Sequence, residues 1–278
     1  MLTLIESLSL AGDRHKQNDD ACGAFHRFAW VIDGATDLHG DPLSSAASDA
    51  AFFAHAFNGA MGAAAPFAES LEGLLASALE GAQRAWGAVE EPIAHAWQTP
   101  TASVLAIEET PAGLAATDLG DSRLFLLDAD GASYSFGGGD DSAKQESAQV
   151  RIITRGRTER PLERAEIIDE LRRRRTLANI PGGYWVLGLD EACLEHRRRT
   201  SFALRRPAYA VLASDGFAAL CDRYEAFDTA SLVRAALAQG LAALGQRLRT
   251  IEADDREGVR HPRWKTSDDA TALLLRLD

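Results

Sequence analysis

The chain is short of cysteine, of positive charge and of long apolar runs. Its three cysteines, Cys22, Cys193 and Cys221, are odd in number, lie far apart and show no C-x-x-C spacing. That argues against a disulfide framework or a zinc site and leads us to expect a reducing cytosol. Lys and Arg total 29 against 41 Asp and Glu, for a net charge of −12. A general binder of nucleic acid or of anionic membranes needs a basic footprint, so both partners are excluded as expectations. No apolar run reaches the roughly 18 residues of a membrane span. The opening stretch MLTLIESLSLAGDRH has neither the basic start nor the cleavage site of a signal peptide, in keeping with a cytoplasmic protein. Internal repeats and long linkers are also missing, so a single domain over 1–278 is the simplest organisation.

The 46% hydrophobic content is enough for a sizeable core. Alternating or apolar stretches predict strands at 2–10, 27–32, 101–107, 113–119, 123–128 and 271–277. Residues 196–214 read as two strands paired with each other. The stretch DADG predicts a hairpin turn after Leu127. Ala-rich segments over 42–61 and 66–89 predict two helices, the first opening near Pro42. Residues 227–248 predict one long helix. Another is expected over 159–177, its four late arginines suiting the helix dipole and forming a solvated end. Residues 137–147 read as a polar loop, and Tyr184 and Trp185 as core. Strands joined by short turns, mixed with helices, predict an α+β fold rich in antiparallel sheet.

Aspartates recur at the ends of these strands. VIDG ends an apolar run on Asp33, and ASDG ends another on Asp215. DDAT places Asp268 and Asp269 just before the last strand, GDSR puts Asp121 in a turn, and NDDA supplies Asp19 and Asp20. If the last strand runs antiparallel to those before Asp33 and Asp215, these carboxylates meet at one sheet edge. Like charges so placed repel, and a divalent cation removes the conflict. Oxygen-only donors suit a hard ion, Mg²⁺ or Mn²⁺, and the glycines after Asp33 and Asp215 let the backbone turn tightly.

In order and content, NDDA, VIDG, GDSR, ASDG and DDAT resemble the motifs of the type 2C, or PPM, metal-dependent Ser/Thr protein phosphatases. They anchor nearly the whole chain, with a looser match over 137–187. The resemblance implies an α+β fold, a four-layer αββα sandwich with two antiparallel β-sheets flanked by helices. It implies a centre of two Mg²⁺ or Mn²⁺ ions, with a third, weaker one. Asp33 would bridge the two ions, Asp215 and Asp268 would hold one of them, and the Gly34 carbonyl the other, with Asp19 and Asp20 acting through water. Asp121 matches the aspartate supporting the third ion. Asp20 and Arg14 are the catalytic candidates, and Arg14 or Lys16 would grip phosphate. The implied activity is hydrolysis of phosphoserine or phosphothreonine by a metal-activated water. The implied partner is a protein phosphorylated by a Ser/Thr kinase.

The chain departs from the family pattern at several points. Asp19 stands for the usual Glu, and Ala35 for a His regarded as general acid. The phosphate-gripping Arg falls at His15, one residue from Arg14. Asp269 replaces an Asn, so Asp268 and Asp269 both remain candidate ligands. His39 is a substitute acid by position only. Two rival readings follow: a catalytically weak phosphoprotein-binding regulator of the same fold, and a phosphatase for a small phosphorylated metabolite.

Overall fold

A computed structural model of the chain describes residues 2–138, 147, 148, 150 and 164–278. Most of the loop expected at 137–147 and the start of the helix expected at 159–177 lie outside the described residues. One sheet contains β1 (Leu2–Leu10), β6 (Arg123–Leu127), β7 (Ser133–Gly137), β9 (Ala208–Ala213) and β10 (Ala270–Leu277), in the order β1-β10-β9-β6-β7. The other contains β2 (Asp20–Phe25), β3 (Phe28–Gly34), β4 (Ala102–Thr110), β5 (Gly113–Leu119) and β8 (Arg198–Phe202), in the order β2-β3-β4-β5-β8. Every pairing in both sheets is antiparallel.

Side chains alternate across a strand, and this alternation builds the layers. Phe28, Trp30 and Ile32 of β3 pack against helices α1 (Asp49–Ala64) and α2 (Leu71–Trp86). Ala29 and Val31, between them, face the opposite sheet and meet Leu212, Leu273 and Leu275 in a shared core. The outer face of that second sheet, with Val211, Ala213 and Leu274, is covered by α4 (Asp215–Asp222), α5 (Thr229–Gln239) and α6 (Leu241–Asp254). The result is the expected αββα sandwich. Helix α3 (Arg164–Arg175) lies outside these layers in sequence, between β7 and β8.

Three local expectations change. The first helix begins at Asp49 rather than near Pro42, because the Ser48 side chain accepts the Ala51 N–H and caps it there. The helix expected over 227–248 is two helices broken at Gly240, whose φ of +84° no L-residue adopts cheaply. Glu6 accepts the Leu241 and Ala242 N–H groups and so starts α6. Finally, β8 and β9 do not pair with each other. β8 pairs with β5, β9 pairs with β10 and β6, and residues 203–207 cross from one sheet to the other. Residues 120–122 make a second such crossing, at the opposite end of the sandwich.

Candidate metal centre

The alternation that builds the core also aims the acids. Asp33 continues the Ala29 and Val31 face of β3, Asp20 opposes it in the β2–β3 register, and Ser214 continues the Ala210 and Leu212 face of β9. All three therefore point between the sheets, at the end where the apolar filling stops. Ser214 Oγ donates to Asp20 Oδ2 at 2.8 Å and accepts the Thr271 N–H at 2.9 Å, which links β2, β9 and β10. The Asp215 N–H donates to Asp33 Oδ2 at 3.3 Å. Asp121 is carried by the 120–122 crossing. Its N–H donates to Ser103 Oγ at 3.0 Å, and Ser103 sits opposite Asp33 in the β3–β4 register.

Two glycines let these segments approach. A Cβ on Gly34 would lie 2.6 Å from the Asp19 carbonyl oxygen, and one on Gly216 would lie 2.0 Å from that of Asp269. Both contacts are too close for any side chain, so the two Asp-Gly pairs are packing requirements as well as turns.

The cluster is electrostatically strained. Burial pushes the Asp20 and Asp33 carboxyls well above their ordinary range, and neighbouring acids push the same way: Asp269, Asp268 and Asp215 on Asp20, and Asp20, Asp215 and Asp121 on Asp33. Asp215 is also raised, by burial and Asp268. Asp19 is raised to about 6, by burial against a hydrogen bond from Ser48. Asp268 goes the other way: burial raises it, but the Lys265 ammonium, 2.5 Å from Asp268 Oδ1, together with the Asp269 N–H and Arg223, holds it low. Oδ1 of Asp19 and Oδ1 of Asp20 are buried with no hydrogen-bond partner among the described residues. Orphaned carboxylate oxygens among mutually repelling acids fit hard divalent cations with oxygen ligands.

The predicted residues do not all share this place. Asp20, Asp33, Asp121, Asp215 and Asp268 are linked by mutual repulsion, whereas Asp19 is acted on by Asp269 and Asp37 and lies against Gly34. Asp269 is turned to another task. Its Oδ1 accepts the Gly12 N–H at 2.7 Å and its Oδ2 the Asp19 N–H at 2.6 Å, so it staples both ends of the 12–19 loop. Of the two C-terminal candidates, Asp268 pairs with Lys265 and Asp269 is occupied by backbone N–H groups. Arg14 and Lys16 are exposed on that stapled loop, and their side chains make no hydrogen bond or ion pair among the described residues.

His39 is drawn away from the acids. Its Nδ1 lies 2.7 Å from the Asp41 carbonyl and its Nε2 3.3 Å from Asp49 Oδ2. With Asp37 it forms a second group whose ligand atoms lie within 4.8 Å of one another. Those carboxylates accept backbone N–H groups: Asp49 from Leu43 and Ser44, Asp37 from Asp49 and Ala50. This group organises the entry to α1.

Sequence reasoning missed Ser48, Ser214, Lys265 and Arg223, the last a cation that acts on Asp215 and Asp268. Ser214 stands inside ASDG, and Lys265 three residues before Asp268, so both carried a local signal. The arginines of α3 are not simply a solvated end. Arg175 donates to the Ala35 and Thr36 carbonyls at 3.4 and 3.2 Å. Arg172 donates to the Leu38 carbonyl at 2.9 Å and lies over the Trp97 ring. Both clamp the loop that follows Gly34. Trp185 packs on the core as expected, stacked on His196, whereas Tyr184 is exposed. Cys193 precedes Arg199 by the six positions of a thiolate-phosphatase loop, but it is fully buried and burial pushes its thiol upward, so it offers no nucleophile.

Neither the protein-family models nor the curated proteins include a match to this chain. Solved structures do match along the full length. The PPM Ser-Thr phosphatase MsPP from Mycobacterium smegmatis, crystallised with cacodylate, superimposes with a TM-score of 0.56 at 17% identity, over 99% of this chain and 100% of that one. The Mycobacterium tuberculosis serine/threonine phosphatase PstP/Ppp gives 0.56 at 18% identity, over 100% of this chain and 99% of that one. A PstP catalytic domain in complex with two manganese ions gives 0.55 at 19% identity, over 100% of both chains. Over its whole length, then, this chain has the fold of the PPM Ser/Thr phosphatases.

Proposed function

We propose that the protein is a metal-dependent phosphatase that hydrolyses phosphoserine or phosphothreonine on proteins. The observation that carries the proposal is the gathering of acids from both sheets, with two buried carboxylate oxygens left unpartnered, in a fold whose solved examples include a two-manganese enzyme. Asp33, central to the cluster, would be shared between two ions. Asp215 and Asp268 would complete one site; the Gly34 carbonyl, with Asp19 and Asp20 through water, the other; Asp121 would serve a third. Bound Mg²⁺ or Mn²⁺ would lower the pKa of coordinated water and neutralise charge on the phosphoryl oxygens.

The chain's own residues do the rest. Asp20, fixed by Ser214, would accept a proton from water near the ions. Arg14, on the stapled 12–19 loop, would grip the substrate phosphate in a bidentate manner, with Lys16 as a second, point-like charge. Ala35 carries no proton, so protonation of the leaving group falls to water. The substrate would be a cytoplasmic protein phosphorylated by a Ser/Thr kinase.

Hydrolysis of p-nitrophenyl phosphate with Mn²⁺, repeated with chelator, tests this directly. Chelator-sensitive turnover is expected, and its absence would favour a phosphoprotein-binding module. Faster turnover of small phosphometabolites than of phosphopeptides would replace the protein substrate with a metabolite.

A further inference from the structure

Lys265 is the cation in direct contact with the acid cluster. Its Nζ lies 2.5 Å from Asp268 Oδ1, and its charge also acts on Asp215, Asp33 and Asp19. The backbone around it is anchored. Arg263 and Asp255 form an ion pair at 3.1 Å with both side chains only 3% accessible, and Arg263 also donates to the Glu252 and Asp255 carbonyls and to that of Thr266. The Lys265 side chain is not anchored in this way. It is 42% accessible and pairs with Asp268. A long, flexible stem on a fixed backbone, tipped with one charge that rests on a cluster acid, is built to swing.

An ammonium and a divalent ion want the same oxygens, and two cations a few ångströms apart repel. We propose that Lys265 is a tethered counter-ion of the metal centre: it occupies Asp268 when no divalent ion is bound, must leave it for the ion to enter, and so sets the affinity of the centre. This inference rests on the metal-centre reading above. It makes Lys265 a positioning residue for the cation, outside the set that touches substrate.

Titration calorimetry of the full chain with Mn²⁺ alone tests it, with Lys265→Met, Lys265→Arg and Asp33→Asn as variants. Lys265→Met is expected to bind Mn²⁺ about tenfold more tightly than the native chain. Its melting temperature in chelator should fall, because the acids lose their internal cation. Lys265→Arg, which keeps the charge, should stay within about threefold of native affinity. Asp33→Asn should abolish binding in both the native and the Lys265→Met background. Native-like or weaker affinity in Lys265→Met, with binding still abolished by Asp33→Asn, overturns the role of Lys265 and leaves the centre standing. Mn²⁺ binding that is absent, or indifferent to Asp33→Asn, overturns the centre and this inference with it. Because Lys265 is exposed, its replacement leaves the core intact, and circular dichroism checks that.

Discussion

Asp20 and Ser214 belong to different sheets, and a hydrogen bond of 2.8 Å from the serine hydroxyl to Asp20 Oδ2 joins them across the sandwich. The same hydroxyl accepts the Thr271 N–H, so one small side chain holds three strands at the rim of the acid cluster. Ser214→Ala strands two buried polar groups. It should cost about 1–3 kcal/mol, read as a lower urea midpoint at unchanged slope. An unchanged midpoint would show that the hydroxyl holds nothing together.

Asp33→Asn should split two readouts. Mn²⁺-supported turnover is expected to fall by about a hundredfold or more, as the central ligand loses its charge. Metal-free stability should rise, since a buried carboxyl repelled by Asp20, Asp215 and Asp121 is relieved. Thermal melts in chelator at about pH 8, where the acids are most ionised, give the clearest comparison. A variant that is both active and less stable would reverse the roles assigned here.

Asp118 provides a pH signature away from the cluster. On β5 it faces Arg198 of β8, with which it is ion-paired, yet burial raises its carboxyl from 3.8 to about 7 despite that partner. A carboxyl raised in the folded state holds its proton longer there than in the unfolded chain. Its contribution is therefore greatest at low pH and is lost as pH climbs between about 4 and about 7. Asp118→Asn, which cannot ionise, should flatten the stability-versus-pH curve over that interval relative to the native chain. Equal slopes for the two proteins would remove Asp118 as the cause.

Arg175 reaches from α3 to the carbonyls of Ala35 and Thr36, two and three residues beyond Asp33. Losing that clamp loosens the loop that presents the Gly34 carbonyl. Arg175→Ala should lower turnover by roughly ten- to a hundredfold while the fold survives. Arg175→Lys, with one charge but no fork, should recover part of the loss. Full activity in the alanine variant would make the contact incidental.

Much of this architecture is legible residue by residue. β5 coincides with its predicted span because GLAATDL carries its own boundaries, a glycine at its start and the GDSR turn after it. Asp33, Asp215 and Asp268 could be placed because each abuts an apolar run that must be a strand. The pairing of β8 with β9 was misread because a short connection normally signals a hairpin, whereas here residues 203–207 step between layers. Nothing local distinguishes those two cases, since the choice depends on which sheet has room at its edge. Gly240 was hidden inside an otherwise helical pattern, and the Glu6 that starts the next helix is 235 residues away. Arg175 escaped notice for the same reason: it acts on a segment brought to it only by folding.

The two sheets are held apart by a filling in which alanines, among them Ala29, Ala116, Ala208 and Ala210, alternate with leucines. Asp33 projects from one wall and Asp215 follows directly from the other, so the gap between them copies the thickness of that filling. The sandwich works as a pair of jaws set by a shim, and a methyl group added deep inside it widens the bite at the rim. The spacing of the acids is thus set by small residues lying deeper in the gap.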